Sequence, residues 1–307
     1  MVKVSQLLIG LLVCLTIHLQ AQDDVVKIDT ELVSVPATVL DRNGKFVGGL
    51  ERSNFSIFEN GIQQEIVLFN AVDEPFTVMM VLDTSGSMKS FMPLLADAAS
   101  EFVRQLRPND KVFAVKFSDQ IESIFPVTRV ADLKPSFKLI PKSREGETII
   151  YDAVDHALKK MRSIKGRKAI ILFSDGVGVG IASAKGTLRD AEEQEALIYT
   201  IQFGSFPEKP SGGVSQKVYK QRIDEINSYM RDLALKTGGK PFHIDKIENL
   251  SETFRQVAQE LGQQYTLGYY PEKSGKGGER RKITVKVDIP NVAVRSRNEV
   301  VFRKSGK

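Results

Sequence analysis

The chain has 307 residues, of which 42% are hydrophobic and 26% charged, enough to bury a large core in one main domain with something smaller beside it. Its 43 basic and 38 acidic residues leave a formal charge of +5, but the basic residues are dispersed among the acids, which argues against a nucleic-acid binder. Cys14 is the single cysteine, so disulfide scaffolds and thiolate metal sites are excluded for everything that follows it.

Residues 1–21 read as a signal peptide. Lys3 precedes the apolar run LLIGLLVCLTIHL, and Ala21 precedes two acids. The run falls short of the ~20 residues a membrane helix needs. The expectation is an exported protein, periplasmic, cell-surface or secreted, with no stable membrane span after signal cleavage at Ala21, and an uncleaved anchor as the alternative.

Residues 22–73 form an N-terminal β segment of short strand-like runs. Asn43-Gly44 and Asn60-Gly61 are two hairpin signals, since both central residues of a tight hairpin turn favour positive φ. From residue 74 to 262 the texture alternates. FTVMMVL (76–82), KVFAVKF (111–117), KAIILF (168–173) and LIYTIQF (197–203) are strands buried on both faces. Helix-length segments fall at 88–106, 149–162, 183–196, 224–236 and 247–262, and 119–125 predicts an antiparallel edge strand. Residues 263–307 return to β texture as a C-terminal β segment that pairs with 22–73. Within it, KGGERRK (276–282) reads as a solvated hairpin turn. The predicted fold class is therefore α/β, a doubly wound, mainly parallel sheet, with the two terminal β segments forming a small β-sandwich.

Asp83, Ser85 and Ser87 follow the first strand of the α/β region in VLDTSGSMKS, Thr148 opens a helix in GETIIYDAV, and Asp175 ends a strand in AIILFSDGV. All three segments fall where open α/β sheets place ligands, at the carboxyl ends of strands. The pattern resembles the von Willebrand factor A domain, whose metal-ion-dependent adhesion site uses D-x-S-x-S, a distant Thr and a distant Asp. The resemblance covers roughly 75 to 245 and assigns Asp83, Ser85, Ser87, Thr148 and Asp175 as the metal residues. The flanks, ATVLDRNGK and YTLGYYP, look like the acidobacterial subfamily of exported proteins related to this domain.

The chemistry agrees with the resemblance. A hard divalent cation takes oxygen donors. Three hydroxyls can bind it directly, and two carboxylates can bind it or hold its waters. Mg²⁺ is the first choice, with Mn²⁺ or Ca²⁺ as alternatives. The resemblance implies a protein partner presenting Asp or Glu to the metal. Ser174 is expected to make a local hydrogen bond, Gly86 to permit close backbone packing, and Asp152 either to orient the site loop or to lie solvated on a helix face.

Enzymatic readings lack their parts. Beyond the leader only His156 and His243 remain, and neither comes with the companions of a hydrolase triad. No H-E-x-x-H or G-x-x-x-x-G-K-[ST] occurs. GVGVGIASAKG (176–186) ends its glycine pattern in Ser183, so a flexible loop is expected rather than a nucleotide site. Two functions compete: a metal-dependent binding module of an exported bacterial protein, and an envelope assembly or scaffold component in which the metal is structural and the sandwich makes the contacts.

Overall fold

The computed structural model describes residues 32–70, 74–140, 148–176, 181–204 and 215–302. The signal peptide expected at 1–21 lies outside them. No described helix is long and apolar enough to cross a membrane.

Six strands build the central sheet: β5 (Thr77–Asp83), β6 (Lys111–Phe117), β7 (Ile121–Arg129), β8 (Lys168–Ser174), β9 (Leu197–Phe203) and β10 (Pro241–Ile244). Their order is β10-β9-β8-β5-β6-β7. All neighbours are parallel except β6 and β7. Every residue of β5, β8 and β9 is buried, the reason their sequences run apolar without alternation. Helix α1 (Met92–Gln105) and helix α5 (Leu250–Leu261) cover one face around Phe102 and Phe254. On the opposite face, α2 (Ile150–Arg162), α3 (Ala184–Glu192) and α4 (Gln216–Thr237) pack around Met79, Leu158 and Leu233.

The helix bounds depart from expectation in two instructive places. The segment 88–106 splits into a 3-10 stretch, Gly86–Phe91, followed by α1. Pro93 in the first turn has no N–H to give and suits a helix start. Helix α4 starts at Gln216, with Ser215 accepting from Val218 N at 3.3 Å, well before the expected 224. Its first turns are almost entirely exposed, so they carry no apolar stripe to read.

The remaining strands form two antiparallel sheets. One has the order β13-β1-β11-β4, from β1 (Val33–Asp41), β4 (Leu68–Asn70), β11 (Tyr265–Tyr269) and β13 (Val292–Ser296). The other has the order β14-β12-β2-β3, from β2 (Phe55–Glu59), β3 (Ile62–Gln64), β12 (Arg280–Val287) and β14 (Glu299–Val301). Each sheet mixes strands from both ends of the chain, and Val35, Ile57, Leu267 and Ile283 share one core between them.

Asn60-Gly61 joins β2 to β3 with both φ values positive, 49° and 85°. At Asn43-Gly44 only Gly44 is positive, at 74°, and the Asp41 carboxylate accepts from Asn43 N and Lys45 N, both at 2.8 Å. The side chain organises that turn, so no second positive φ is needed. The basic stretch 276–282 is not a hairpin turn: β11 and β12 lie in different sheets. Strand alternation turns Arg281 inward, where it is 7% exposed and pairs with Glu59 and Glu279, each at 2.8 Å. Glu59 in turn accepts from Tyr269 Oη at 2.6 Å.

The α/β unit is tied to these sheets by polar groups. Glu192 at the end of α3 meets Lys236 of α4 at 2.9 Å and Arg280 of β12, while Arg297 donates to its carbonyl at 2.5 Å. Backbone also closes on backbone at the outer strand. A Cβ on Gly239 would lie 2.0 Å from the Ile198 carbonyl oxygen. Gly239→Ala should therefore cost about 2–4 kcal/mol by forcing β10 away from β9, measurable as a lower urea midpoint at unchanged slope.

Candidate metal site

The strand order reverses between β5 and β8, since the chain steps from β5 to β6 on one side and then returns to β8 on the other. A crevice opens at the carboxyl ends of those two strands, the place where open α/β sheets bind ligands. Asp83 is the last residue of β5, and Asp175 follows the last residue of β8.

Asp83 is fully buried. Its Oδ1 accepts from Ser85 N at 2.9 Å, and its Oδ2 accepts from Ser174 Oγ at 2.6 Å. The Ser85 and Ser87 hydroxyls lie 3.0 Å apart, and Ser87 Oγ donates to Asp175 Oδ2. Four of the five predicted residues are thus linked by hydrogen bonds from β5 to the end of β8, through the Ser85 backbone N–H and then through the two serine hydroxyls.

Thr148, 8% exposed, sits two residues ahead of α2. The next residue donates from Ile149 N to Ser118 O at 2.9 Å, and Ser118 follows β6, whose Phe117 is in register with Asp83. Backbone pairing therefore brings the Thr148 segment to the mouth of the same crevice. Thr84 braces this junction, its N and Oγ1 both donating to Phe117 O, at 2.8 and 3.1 Å.

Ser174 does more than bond locally: besides donating to Asp83 it accepts from Gly176 N at 3.0 Å, linking both carboxylate segments. Gly176 has φ 81°, a conformation that glycine adopts without strain, and it turns the chain away just after Asp175. Asp152 is no solvated acid, since its carboxylate accepts from Ile181 N at 2.8 Å and Ala182 N at 3.1 Å. Gly86 departs from expectation; nothing lies within 4 Å of a Cβ placed there, so the turn does not need glycine for space. Ser183 accepts from Gly186 N at 3.0 Å and caps α3, while residues 177–180 of the glycine pattern lie outside the described residues. His243 is half exposed beside Asp245, at 3.2 Å, remote in sequence from every residue of the crevice.

Burial and the neighbouring Asp175 charge push the Asp83 carboxyl up to about 7, against the hydrogen bonds from Ser174 and Ser85 that favour its charged form. Two carboxylates and two hydroxyls converging in a crevice that is buried at Asp83 and open at Ser87 are a donor set for a hard, oxygen-seeking cation, whose positive charge would offset the repulsion. Among the described residues no group of three or more His, Cys, Asp or Glu gathers anywhere, this crevice included, so its donor set depends on hydroxyls beside two carboxylates. The residues present fit a divalent cation.

Fold and crevice together define an α/β protein with a ligand crevice at the carboxyl ends of its central strands. Residues 78–177 match the family model described as von Willebrand factor type A domain. Proximal thread matrix protein 1 from the mussel byssus superposes with TM-score 0.50 at 15% identity, over 74% of this chain and 50% of that one. A second structure of the mussel protein, described as having a zinc-occupied MIDAS motif, gives TM-score 0.50 at 17% identity, over 66% and 49%. A UPF0353 protein of Mycolicibacterium gilvum is 24% identical over 213 residues, 62% of each chain. The chain thus spans about half the length of the mussel protein and 62% of the bacterial relative. These likenesses bear on the fold.

Proposed function

We propose that the chain is a metal-dependent protein-binding module of an exported bacterial protein, acting by recognition rather than catalysis. The observation that carries this reading is the hydrogen-bonded set Asp83, Ser85, Ser87 and Asp175 at the mouth of the sheet. These four, with Thr148, would hold Mg²⁺ in preference to Mn²⁺ or Ca²⁺. A divalent cation seated there supplies an electrophilic position that a partner's Asp or Glu carboxylate can complete. Asp83 is buried and holds the Ser85 backbone, so its task is to fix the loop from below. Ser87 is exposed and carries a hydroxyl to the surface.

The flanking sheets favour the scaffold alternative in one respect: the contacts of buried Glu192 and Arg297, with the exposed Arg280, tie them to the α/β unit as a base. That base serves equally to present the crevice; in a scaffold the cation would be structural only, whereas the exposed Ser87 brings the site to the surface.

Electron paramagnetic resonance of a Mn²⁺ titration tests the reading. One site per chain, competed by Mg²⁺, is expected, together with partner capture that disappears in chelator. A chain that binds no Mn²⁺, or captures its partner equally well in chelator, sinks it.

A further inference from the structure

Ile181 is completely exposed, at 100%. A single exposed isoleucine is ordinary on a protein surface, but this one is held in place. Its backbone N–H and that of Ala182 both bond the Asp152 carboxylate, and two residues on, Ser183 caps α3. Asp152 is the third residue of α2, and Thr148 lies two residues before that helix. Asp152 is therefore about one helical turn, ~5–6 Å along the axis, from the Thr148 segment, and Ile181 is held against its carboxylate. A pinned backbone with an outward apolar side chain loses little freedom when a partner covers it.

On the other side of the crevice, Lys89 is exposed two residues after Ser87. The 3-10 stretch bearing Lys89 runs into α1 on one face of the sheet, whereas Ile181 runs into α3 on the opposite face. A ligand reaching the cation thus meets a basic rim on one flank and an apolar shoulder on the other.

The geometry points to Asp152 as a positioning residue that fixes the Ile181 shoulder, and to a partner that presents an acidic side chain with an apolar residue beside it. This rests on the metal-dependent reading above and narrows it: the carboxylate meets the cation, and the apolar neighbour covers Ile181. Asp152 would act only through the loop it holds.

The test uses the full chain and an array of synthetic peptides, each with a central Asp or Glu flanked by Leu or by Ser, read in Mg²⁺ and in chelator. Leu-flanked acidic peptides should bind best, and only in Mg²⁺. Ile181→Ser, a surface change that leaves the core intact, should weaken that binding about tenfold without changing Mn²⁺ affinity. Asp152→Asn retains one acceptor oxygen for two N–H donors. It should weaken Leu-flanked peptides more than Ser-flanked ones and broaden the spectrum of bound Mn²⁺, with Asp152→Glu restoring part of both. If Mn²⁺ binds but Leu and Ser flanks are equivalent, or no peptide is captured, or Ile181→Ser has no effect, the shoulder is overturned and the cation reading stands. Absence of any Mn²⁺ site overturns both.

Discussion

Asp83→Asn should lower cation affinity by at least about a hundredfold while leaving the protein no less stable in chelator. The two halves of this expectation come from the same geometry. Asp83 is fully buried and its carboxyl is held high by burial and by Asp175. Without a cation, a neutral amide removes that repulsion and keeps a side-chain oxygen for one of the bonds from Ser85 N or Ser174 Oγ. With a cation, the same change removes a negative charge from the donor set. Thermal melts of wild type and variant in Mg²⁺ and in chelator would separate the effects. Mg²⁺ should raise the wild-type melting temperature by mass action and leave the variant's almost unmoved. Equal Mg²⁺ shifts in both proteins would take Asp83 out of the site. A variant less stable in chelator would show that the carboxylate serves mainly to hold the turn.

Arg167→Ala should cost about 3–4 kcal/mol of folding stability, the largest effect expected away from the crevice. Arg167 is 6% exposed and sits just before β8. It donates to the carbonyls of Glu74 at 2.9 Å, Leu261 at 3.1 Å and Gln264 at 2.9 Å, and its guanidinium lies 4.1 Å from the centre of the Phe76 ring. Glu74 lies where the chain passes from β4 towards β5, and Leu261 and Gln264 where it passes from α5 to β11. One side chain therefore clamps both crossings between the α/β unit and the antiparallel sheets. Truncation leaves buried carbonyls without their donor, at about 1–3 kcal/mol each before relaxation. Burial and the nearby Arg107 charge lower the Arg167 pKa to about 10, so the guanidinium remains charged at neutral pH and its hydrogen bonds keep their charge-assisted strength. Lysine cannot span three acceptors with the same planar fork, so Arg167→Lys should recover less than half of the loss. Urea unfolding at pH 7 measures both variants. A cost under about 1 kcal/mol for Arg167→Ala would mean that the crossings are held by the strand pairing on either side.

Much of the central sheet was legible because its strands are buried on both faces. The runs 111–117 and 197–203 coincide with β6 and β9, and 168–173 falls one residue short of β8. Continuous apolar character is a local property of sequence, and so is the order of hydroxyl and carboxylate residues after β5. The start of α4 was not legible, because its first turns are almost entirely exposed and leave no periodic mark. Nor was the inward turn of Arg281, whose glycine-rich, basic neighbours suggested solvent. Its partner Glu59 lies more than two hundred residues earlier in the chain, and only the pairing of β2 with β12 brings them together.

What the sequence determined by itself is the inventory: the strands, their alternation with helices, and the five oxygen-bearing residues, four at or after strand ends and Thr148 just ahead of a helix. Which of those oxygens touch, and through what, was decided by tertiary structure. Ser174 joins Asp83 to the Asp175 segment across ninety-one positions of sequence, and Asp152 holds the loop at Ile181 across twenty-nine. The physical reason is that hydroxyl and carboxylate side chains reach only about 3 Å to a partner. Whether one is a helix cap, a solvated acid or a brace depends on which backbone the fold brings within that distance, and that is a property of sheet order rather than of local sequence.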